Sequence, residues 1–405
     1  MNASVLRAKR ENRNAGKGVL LAAVLMAMIE TQAATPTYYW DTNGSDDGAG
    51  NPPTGDWYNT STNWTLDPTG NSATFYYSNR ANIVFCASDD PEWSDTYDYT
   101  VTVYGIEPVS DIQFKDGNCT LTTVVPYYLD KDTPFISVLN NDGSSAQTAT
   151  LNSIIASAAG TTNGLDKYGP GGLVLGATNT YAGPTVIESG ALYLGAPQVI
   201  PKTSMLVLAG GDTHPDDPYG ATAATFQTGG FSQTLGPLLL TGPYTNLDHT
   251  IDFGHSASAL VFADSHTQNW GGITLYLRNF KPGVDSLRFG TNSSGLTAAQ
   301  LGLMNFYDSL NVPGSIDANG FVTPVAPPTL SVAPTGSNSM VLSWSAIKGR
   351  SYNVQFKTNL NDAYWLTNSI QDVVATTNLA SFTDVIGTNS HGFYRILLRP
   401  VVINY

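Results

Sequence analysis

Two short apolar blocks that nearly repeat one another constrain this chain most. Leu173-Val174-Leu175-Gly176 is followed 19 residues later by Leu192-Tyr193-Leu194-Gly195, so that Leu173 matches Leu192 and Leu175 matches Leu194. Each block is a short β run closed by glycine. A period of about 20 residues, made of short apolar runs and turns with little charge, is typical of a solenoid whose turns stack on one another.

The surrounding segment, Leu165 to Gly195, holds more of this pattern. A turn with the sequence Asn-Thr-Tyr-Ala-Gly at 179–183 precedes a strand-like run at 185–192. On these residues the chain resembles the autotransporter-associated β-strand repeat, whose pattern reads G-x-G-x-L-x-L, N-T-Y-x-G, T-x-V and G-x-L-x-L. The chain departs from that pattern mainly in the placement of glycine, at 170–172 and 182–184.

The resemblance implies both a fold and a setting. Members of the family form right-handed parallel β-helices in secreted or surface passengers of bacteria, whose activity the repeat itself does not define. Residues 38–64, 101–121 and 286–324 are similar to companions of the repeat in such proteins. The expected fold class is therefore all-β: a right-handed parallel β-helix, or β-solenoid, followed by a small antiparallel β-sandwich.

The first 34 residues read as a secretory signal peptide. Five basic residues precede an apolar run at 19–29, and small residues follow it, which is the order that such signals have. The alternative is a membrane anchor that stays uncleaved, but the apolar run is too short to form a permanent span. We therefore expect export, with cleavage near Ala33 or Ala34.

The remaining chain divides by its strand and turn pattern. Short β runs bounded by Gly, Asp and Pro fill its first three quarters, and longer alternating strands follow a proline-rich linker. The last part is similar to fibronectin type III modules in its strand rhythm. The predicted segments are an N-terminal cap at 35–80, the β-helix at 81–323 with the repeat at 165–195 and a closing cap at 286–323, the linker at 324–328 and the β-sandwich at 329–405.

Particular residues can be assigned within these segments. The inward residues of the β-helix are predicted to include Leu173, Leu175, Val186, Leu192 and Leu194. Thr297 followed by Gln300 is a capping-box pattern that opens a short helix in the closing cap. Trp344 and Tyr352 are predicted to form the core of the sandwich.

Charge restricts the partners. Only 12% of the residues are charged, and the net charge is −14; removing residues 1–34 would make it −17. Such an acidic chain repels nucleic acid and anionic membranes. We therefore expect no nucleic-acid partner, no stable membrane span after cleavage, and a secreted or cell-surface location.

Cys86 and Cys119 are the only cysteines, and they lie in two strand-like runs at 82–87 and 117–122. An exported chain meets an oxidising compartment, in which the two thiols can form a disulfide. The alternative is two buried thiols on separate turns of the solenoid. Both interpretations are open on the sequence.

Candidate metal and catalytic residues are weak. The segment 41–48 places oxygen ligands at alternate positions, as Ca²⁺ loops do, but it lacks the glycine and glutamate that such loops need; an ordinary polar turn is the better interpretation. The acidic runs at 89–92 and 214–217 lack paired His or Cys spacing. No catalytic residue, cofactor or metal site is predicted. The scattered histidines are His214, His249, His255, His266 and His391.

Trp57, Tyr58 and Trp64 are the candidate glycan-stacking residues. Exposed aromatic rings can stack on sugars, but large aromatic side chains that close the end of a solenoid are the competing explanation. The sequence does not separate these two roles.

We predict a secreted or cell-surface β-helical protein that is structural or adhesive and lacks catalytic activity, with an extracellular polysaccharide or surface matrix as candidate partner. The alternative is a polysaccharide-active β-helix enzyme, of the lyase or glycosidase kind, with carboxylates on neighbouring turns. Against this alternative, the acidic residues fall mainly in turns, and no strand carries an Asp-x-Asp pair between apolar neighbours.

Overall fold

The structure is a computed structural model. The predicted signal peptide lies outside the described residues. The residues that the structure describes are 35–58, 60–75, 79–86, 98–124, 127–139, 147–211, 222–243, 247–307, 312–326, 328–336, 338–361, 363–365, 372–385 and 392–399.

Short β-strands make up nearly all the regular structure. Those in the first part of the chain are β1 (Thr37–Trp40), β2 (Gly55–Trp57), β3 (Trp64–Thr65), β4 (Ala81–Phe85), β5 (Asp98–Val103), β6 (Ile106–Phe114), β7 (Asn118–Thr123), β8 (Tyr128–Lys131), β9 (Phe135–Val138), β10 (Thr148–Asn152), β11 (Ile155–Ser157), β12 (Leu165–Tyr168), β13 (Gly172–Leu175), β14 (Thr185–Ile187), β15 (Ala191–Leu194) and β16 (Leu206–Leu208).

The second part continues this alternation of strands and adds one short helix. Its elements are β17 (Thr225–Gln227), β18 (Gln233–Leu235), β19 (Leu238–Leu240), β20 (His249–Asp252), β21 (Ala259–Phe262), β22 (Leu275–Arg278), β23 (Ser286–Phe289), α1 (Ala298–Leu303), β24 (Met304–Phe306), β25 (Gly314–Ile316), β26 (Val322–Pro324), β27 (Leu330–Pro334), β28 (Ser339–Ser345), β29 (Ser351–Lys357), β30 (Val373–Val374), β31 (Leu379–Val385) and β32 (Phe393–Leu398).

The strands up to β24 build a parallel β-helix. The first sheet has the order β19-β16-β14-β12-β9-β6-β4-β1-β3, with β8 beside β6 and β11 beside β8. The second has the order β2-β5-β7-β10-β13-β15-β17-β20-β22-β24. From β12 to β17, successive strands alternate between the two sheets, so each turn adds one strand to each. Strands β18, β21 and β23 form a third, shorter parallel sheet. The predicted all-β parallel solenoid is thus confirmed.

The interior of the β-helix is a stack of aliphatic side chains in register. Leu173 lies directly beside Leu192, and Leu175 beside Leu194, on the parallel strands β13 and β15. All four are at most 3% exposed. The alternation of the two sequence blocks therefore predicted the inward side chains of these strands correctly.

The prediction was wrong for Val186, which is half-buried on the outer side of β14 while Thr185 and Ile187 are buried. The hydroxyl of Thr185 is 2.7 Å from the hydroxyl of Tyr181 and 2.9 Å from that of Ser204. Because the threonine hydroxyl has partners inside, the strand keeps a polar residue inward and turns the valine out.

Asn179 explains why the repeat carries asparagine in its turn. It is buried; its Oδ1 accepts the N–H of Ile155 at 2.8 Å, and its Nδ2 donates to the carbonyl of Val199 at 2.9 Å. One amide therefore satisfies backbone groups on the turn before and the turn after its own. Gly183 is required nearby, because a Cβ there would lie 2.5 Å from the carbonyl oxygen of Thr162.

The two ends of the β-helix are closed differently. At the start, β3 pairs antiparallel with β1, and the ring of Trp64 contacts those of Trp40 and Trp57 at centroid distances of 5.1 and 5.0 Å. At the far end, Thr297 and Gln300 form the predicted capping box of α1. An antiparallel pair, β25 and β26, follows the helix.

The C-terminal part is a sandwich of two antiparallel sheets, ordered β27-β28-β31 and β30-β29-β32. Trp344 and Tyr352, the two predicted core residues, are each 1% exposed, and their rings are 5.9 Å apart. Leu342, Val354 and Ala380 complete the buried cluster with them. Among the helices in the described ranges, none has the length and apolar character that a membrane crossing requires.

Candidate functional site

The first sheet is interrupted by a β-bulge between β4 and β6. Ala81 lies opposite Val109, but Ile83 lies opposite Ile112, so β6 has one more residue than β4 between these pairs. The intervening residues are Asn82 on one strand and Ser110 with Asp111 on the other. Bulges of this kind redirect side chains and are over-represented next to binding and catalytic sites.

Two cationic side chains satisfy the backbone carbonyls at the bulge. Arg80 donates from Nη1 to the carbonyls of Val109 and Asp130, both at 2.7 Å, and from Nη2 to the Asp130 carboxylate at 2.5 Å. Lys131 donates from Nζ to the carbonyls of Ser110 and Phe135. Backbone carbonyls at the bulge therefore accept hydrogen bonds from these two side chains, in addition to the backbone hydrogen bonds between strands.

The electrostatics around Lys131 are unusual for a lysine, because its side chain is only 1% exposed. Burial lowers the pKa of Lys131 to about 7, although Asp111 and Asp132 act in the opposite direction. Arg80 adds to the lowering, as a second positive charge does. The bulge thus contains a group whose charge changes close to neutral pH.

Hydrogen bonds fix the carboxylates beside the bulge. Thr133 donates its hydroxyl to Oδ1 of Asp111 at 2.6 Å, and Ser110 donates its own to Oδ1 of Asp132 at 2.8 Å. The backbone N–H of Asp111 also donates to Oδ1 of Asn82 at 3.3 Å. Asp111 is consequently held at a fixed position on the outer face of the first sheet.

A polar cavity of about 390 Å³ lies over this part of the sheet, and we call it the bulge groove. Two columns of outward side chains run across the strands here. The first contains Thr37, Asn82 and Asp111, and the backbone N–H of Asp111 donates to Asn82 across the bulge. The second contains Tyr39, Val84 and Gln113. Amides, a carboxylate, a hydroxyl and phenol rings thus face one space. The lining residues are Thr37, Tyr39, Asn82, Ile83, Val84, Asp111, Ile112, Gln113 and Tyr168.

Comparison with known proteins bears on another segment of the same β-helix. Residues 165–194 match the passenger-associated-transport-repeat family. The match supports the resemblance predicted for 165–195, and the repeat is associated with exported or surface autotransporter passengers. No curated protein and no solved structure matches the chain. The passenger-associated repeat contributes β12 to β15, and thus Tyr168 to the lining of the bulge groove.

Two of the three predicted glycan-stacking residues are in the core. Trp57 and Trp64 are 0% exposed, and both belong to the main hydrophobic cluster. Only Tyr58 is exposed, at 41%, with its ring 6.3 Å from that of Tyr104. The stacking assignment is therefore corrected for the two tryptophans, because buried indoles that close the end of a solenoid leave no ring face for a sugar.

Both cysteines are buried, Cys86 at 0% and Cys119 at 1% exposure. Cys86 follows the end of β4, and Cys119 lies within β7 on the other sheet. Burial raises the pKa of the Cys119 thiol, so that it carries no thiolate character at neutral pH. The pairing of the two cysteines stays a prediction.

Asp41, the first residue of the polar segment at 41–48, is buried and accepts the N–H groups of Asn43 and Gly44 at 3.0 and 3.3 Å. Burial raises its pKa to about 6. The carboxylate of Asp41 thus stabilises the turn that follows it by accepting these two backbone N–H groups. Within the described parts of the chain, no three His, Cys, Asp or Glu side chains are grouped to hold a metal ion.

Two of the scattered histidines that the structure describes lie in different surroundings. His249 is buried, with its Nε2 3.1 Å from the carbonyl of Thr241, and burial lowers its pKa. His266 is exposed beside Asp264, with 2.6 Å between Nδ1 and Oδ1. His214 and His391 lie outside the described residues, as do the acidic runs at 89–92 and 214–217.

The bulge groove escaped the sequence analysis. Asn82, Asp111 and Gln113 are polar residues within strand-like runs, and each is unremarkable by itself. Their grouping depends on pairing between strands about 30 residues apart and on an extra residue in β6. The available signal was a carboxylate between the strand residues Ser110 and Ile112, at a position where sheets of this kind place an outward side chain.

Proposed function

We propose that this chain is an exported β-helical protein that works as a structural and adhesive element at the cell surface or in the extracellular matrix, without catalytic activity. The observation that carries the proposal is the unbroken second sheet of ten parallel strands, in which the passenger-associated repeat forms two. At about 4.8 Å per strand, this sheet extends for about 43 Å. Such a stack is stiff because each turn is fixed by its neighbours.

Export is supported by the start of the chain and by the repeat. The order of residues in 1–34 is that of a secretory signal, and the repeat family is associated with exported passengers. Mass spectrometry of the protein from its native host tests this proposal. A mature N-terminus near Thr35 is expected, and an intact Met1 to Ala34 segment on the mature protein would contradict it.

Adhesion is supported by the outer face of the second sheet. Thr100, Thr120 and Thr150 lie side by side in one column. A column of hydroxyls suits an uncharged matrix better than nucleic acid or an anionic membrane. Binding of the purified chain to insoluble polysaccharides, measured by co-sedimentation, tests the adhesive role; no binding to any of a broad set would contradict it.

We further propose that the C-terminal sandwich is a module of the fibronectin type III kind. Its first, second and fifth strands, β27, β28 and β31, form one sheet. Its fourth, third and sixth strands, β30, β29 and β32, form the other. In immunoglobulin-like sandwiches strands A, B and E lie together and C and F lie opposite. An experimental structure of residues 329–405 with a different strand order would overturn this assignment.

Polysaccharide cleavage is the second candidate function, and the first sheet carries one observation in its favour. Asp111 and Asp166 lie in the same outward column on either side of Phe135. Two strand spacings put their backbone positions about 10 Å apart. The carboxyl groups of inverting glycosidases are about 6.5–9.5 Å apart.

An activity assay separates the two candidates. The chain is incubated with neutral and acidic polysaccharides, and reducing ends and unsaturated products are followed. We expect no turnover. Turnover that falls by about 10²-fold or more in Asp111→Asn or Asp166→Asn, with folding intact, would establish the enzyme and refute the non-catalytic proposal.

A further inference from the structure

We propose that the bulge groove is a binding site for one or two sugar units of a neutral polysaccharide. This inference rests on the proposed adhesive function and gives that function a location on the first sheet. The site is formed by Tyr39, Asn82, Asp111, Gln113 and Tyr168. Its size and its chemistry both favour this class of ligand.

The groove has the dimensions of a small-ligand site. Its volume of about 390 Å³ lies in the range of about 300 to 1,000 Å³ that such sites occupy. The bulge is the origin of the concavity, because the extra residue of β6 bends the sheet and increases its local twist. A regular, flat sheet face would offer a long polymer contact but no recess for an individual unit.

The lining matches the hydrogen bonding of a polyol. Each sugar hydroxyl both donates and accepts, and the carboxamides of Asn82 and Gln113 also offer both functions. Asp111 adds a charged acceptor, which makes stronger hydrogen bonds than a neutral one. The ring of Tyr39, which is half-buried, supplies apolar surface for the C–H groups of a pyranose.

Charge selects the neutral class of glycan. Among the described residues that line the groove, none is basic, and Asp111 is acidic. Arg80 and Lys131 lie nearby, but their donors are directed to the backbone carbonyls at the bulge and to Asp130. Lys131 lies close enough to act on Asp111 electrostatically, but no basic side chain is among the described residues that line the groove, so uronate, sulfate and phosphate groups would meet the Asp111 carboxylate there.

The groove is organised before a ligand arrives. The bonds from Thr133 to the Asp111 carboxylate and from the Asp111 N–H to Asn82 fix two of the polar groups. The aromatic wall is fixed as well, since Tyr168 is 6% exposed and its ring is 5.9 Å from that of Phe135. Binding consequently needs little ordering of side chains, which favours affinity from a small contact.

Titration calorimetry of the full chain tests the proposal with short neutral oligosaccharides of the gluco, manno and galacto series. We expect at least one series to bind, and Gln113→Ala and Asp111→Asn each to weaken that binding about tenfold, the effect of one lost hydrogen bond. Gln355→Ala is the matched control, because Gln355 is a half-buried glutamine on β29 of the C-terminal sandwich, outside both sheets of the β-helix. It should leave the affinity unchanged within about twofold.

Melting curves of each variant establish folding, and the near-isosteric Asp111→Asn keeps the test valid if Gln113→Ala does not fold. The proposal is overturned if neither groove variant weakens binding, if oligogalacturonate binds more tightly than neutral sugars, if calcium chloride alone gives the titration signal, or if no neutral series binds. Co-sedimentation with insoluble polysaccharide that persists in both groove variants would leave the adhesive function intact and remove only the site.

Discussion

Different side chains fill the interior in two parts of the β-helix, the first turns and the turns of the passenger-associated repeat. In the repeat, aliphatic residues such as Leu173 and Leu192 stack in register. In the first turns the interior is aromatic, and the rings of Phe85 and Phe114 are stacked at 5.1 Å. Aromatic rings at one end and leucine side chains in the middle thus both fill the interior of the same parallel β-helix.

The two regions also differ in how they satisfy buried backbone groups. In the repeat, the neutral side chain of Asn179 bridges two neighbouring turns, and the buried Lys167 donates from Nζ to the carbonyls of Gly169 and Ser189. At the bulge, the charged side chains of Arg80 and Lys131 take that role. Carboxylates lie close to Arg80 and Lys131, and one of them, Asp111, borders the bulge groove.

The difference teaches where a solenoid acquires a specific site. A regular repeat presents similar outward side chains on every turn and suits extended contact with a partner. A break in register, together with the charges that it requires, creates one place that differs from all others. We therefore expect substitutions in the repeat to report on stability, and substitutions at the bulge to report on pH dependence and recognition.

The largest expected effect is at the aromatic end. Trp57→Ala should lower the free energy of unfolding by about 3–5 kcal/mol, because it removes a fully buried indole from the cluster with Trp64. Tyr58→Ala, at the adjacent exposed position, should change it by less than about 1 kcal/mol. Urea denaturation measures both. Equal effects would mean that Trp57 is not a core residue and would reopen its role as a sugar platform.

In the repeat, Leu192→Ala should lower the free energy of unfolding by about 2–5 kcal/mol, as cavities in packed cores do. Val186→Ala is the control, since Val186 is half-buried on the outer side of β14. It should lower the free energy by less than about 1 kcal/mol. If the valine variant is the less stable of the two, the inward and outward faces of these strands have been assigned wrongly.

The repeat and the bulge also differ in how much of their structure the sequence could predict. The positions of Leu173, Leu175, Leu192 and Leu194 followed from a local alternation that is repeated 19 residues later. The capping box of α1 was similarly local. Val186 was misassigned because the inward threonine beside it depends on hydroxyl partners at Tyr181 and Ser204, which strand periodicity does not reveal.

The bulge groove could not be predicted for a related reason. Arg80 meets Asp130 across 50 residues of sequence, and the bulge exists only relative to the partner strand. The sequence contains the residues but not the register that groups them. The three aromatic residues Trp57, Tyr58 and Trp64, by contrast, attracted notice by composition, although burial separates the two tryptophans from the tyrosine.

Lys131 makes the stability of the bulge depend on pH. Its pKa is about 7 in the folded protein and near the ordinary value of 10.5 in the unfolded chain. Between these values the unfolded chain binds more protons, so the contribution of this group to stability rises with pH. The free energy of unfolding of the wild type, minus that of Lys131→Met, should therefore increase from pH 7 to 9. The increase should be at most about 1.4 kcal/mol per pH unit.

Urea denaturation of both proteins across that range checks the sign. The exposed lysine Lys202 provides the control, because Lys202→Met should keep the pH dependence of the wild type. A constant difference between wild type and Lys131→Met from pH 7 to 9 would show that Lys131 is not a buried, shifted group. The comparison of charged and neutral bridges would then lose its basis.

The neutral bridge in the repeat should give a smaller effect that is independent of pH. Asn179→Ala removes the acceptor of the Ile155 N–H, at a cost of about 1–3 kcal/mol, whereas the carbonyl of Val199 keeps the backbone N–H of residue 179 as a partner. The neighbouring Thr180 is exposed, so Thr180→Ala should change stability by less than about 0.5 kcal/mol. Because no charge is involved, the loss in Asn179→Ala should be the same at pH 7 and pH 9. A loss that varied with pH would mean that the Asn179 bridge is coupled to a titrating group and does not act as a neutral amide alone.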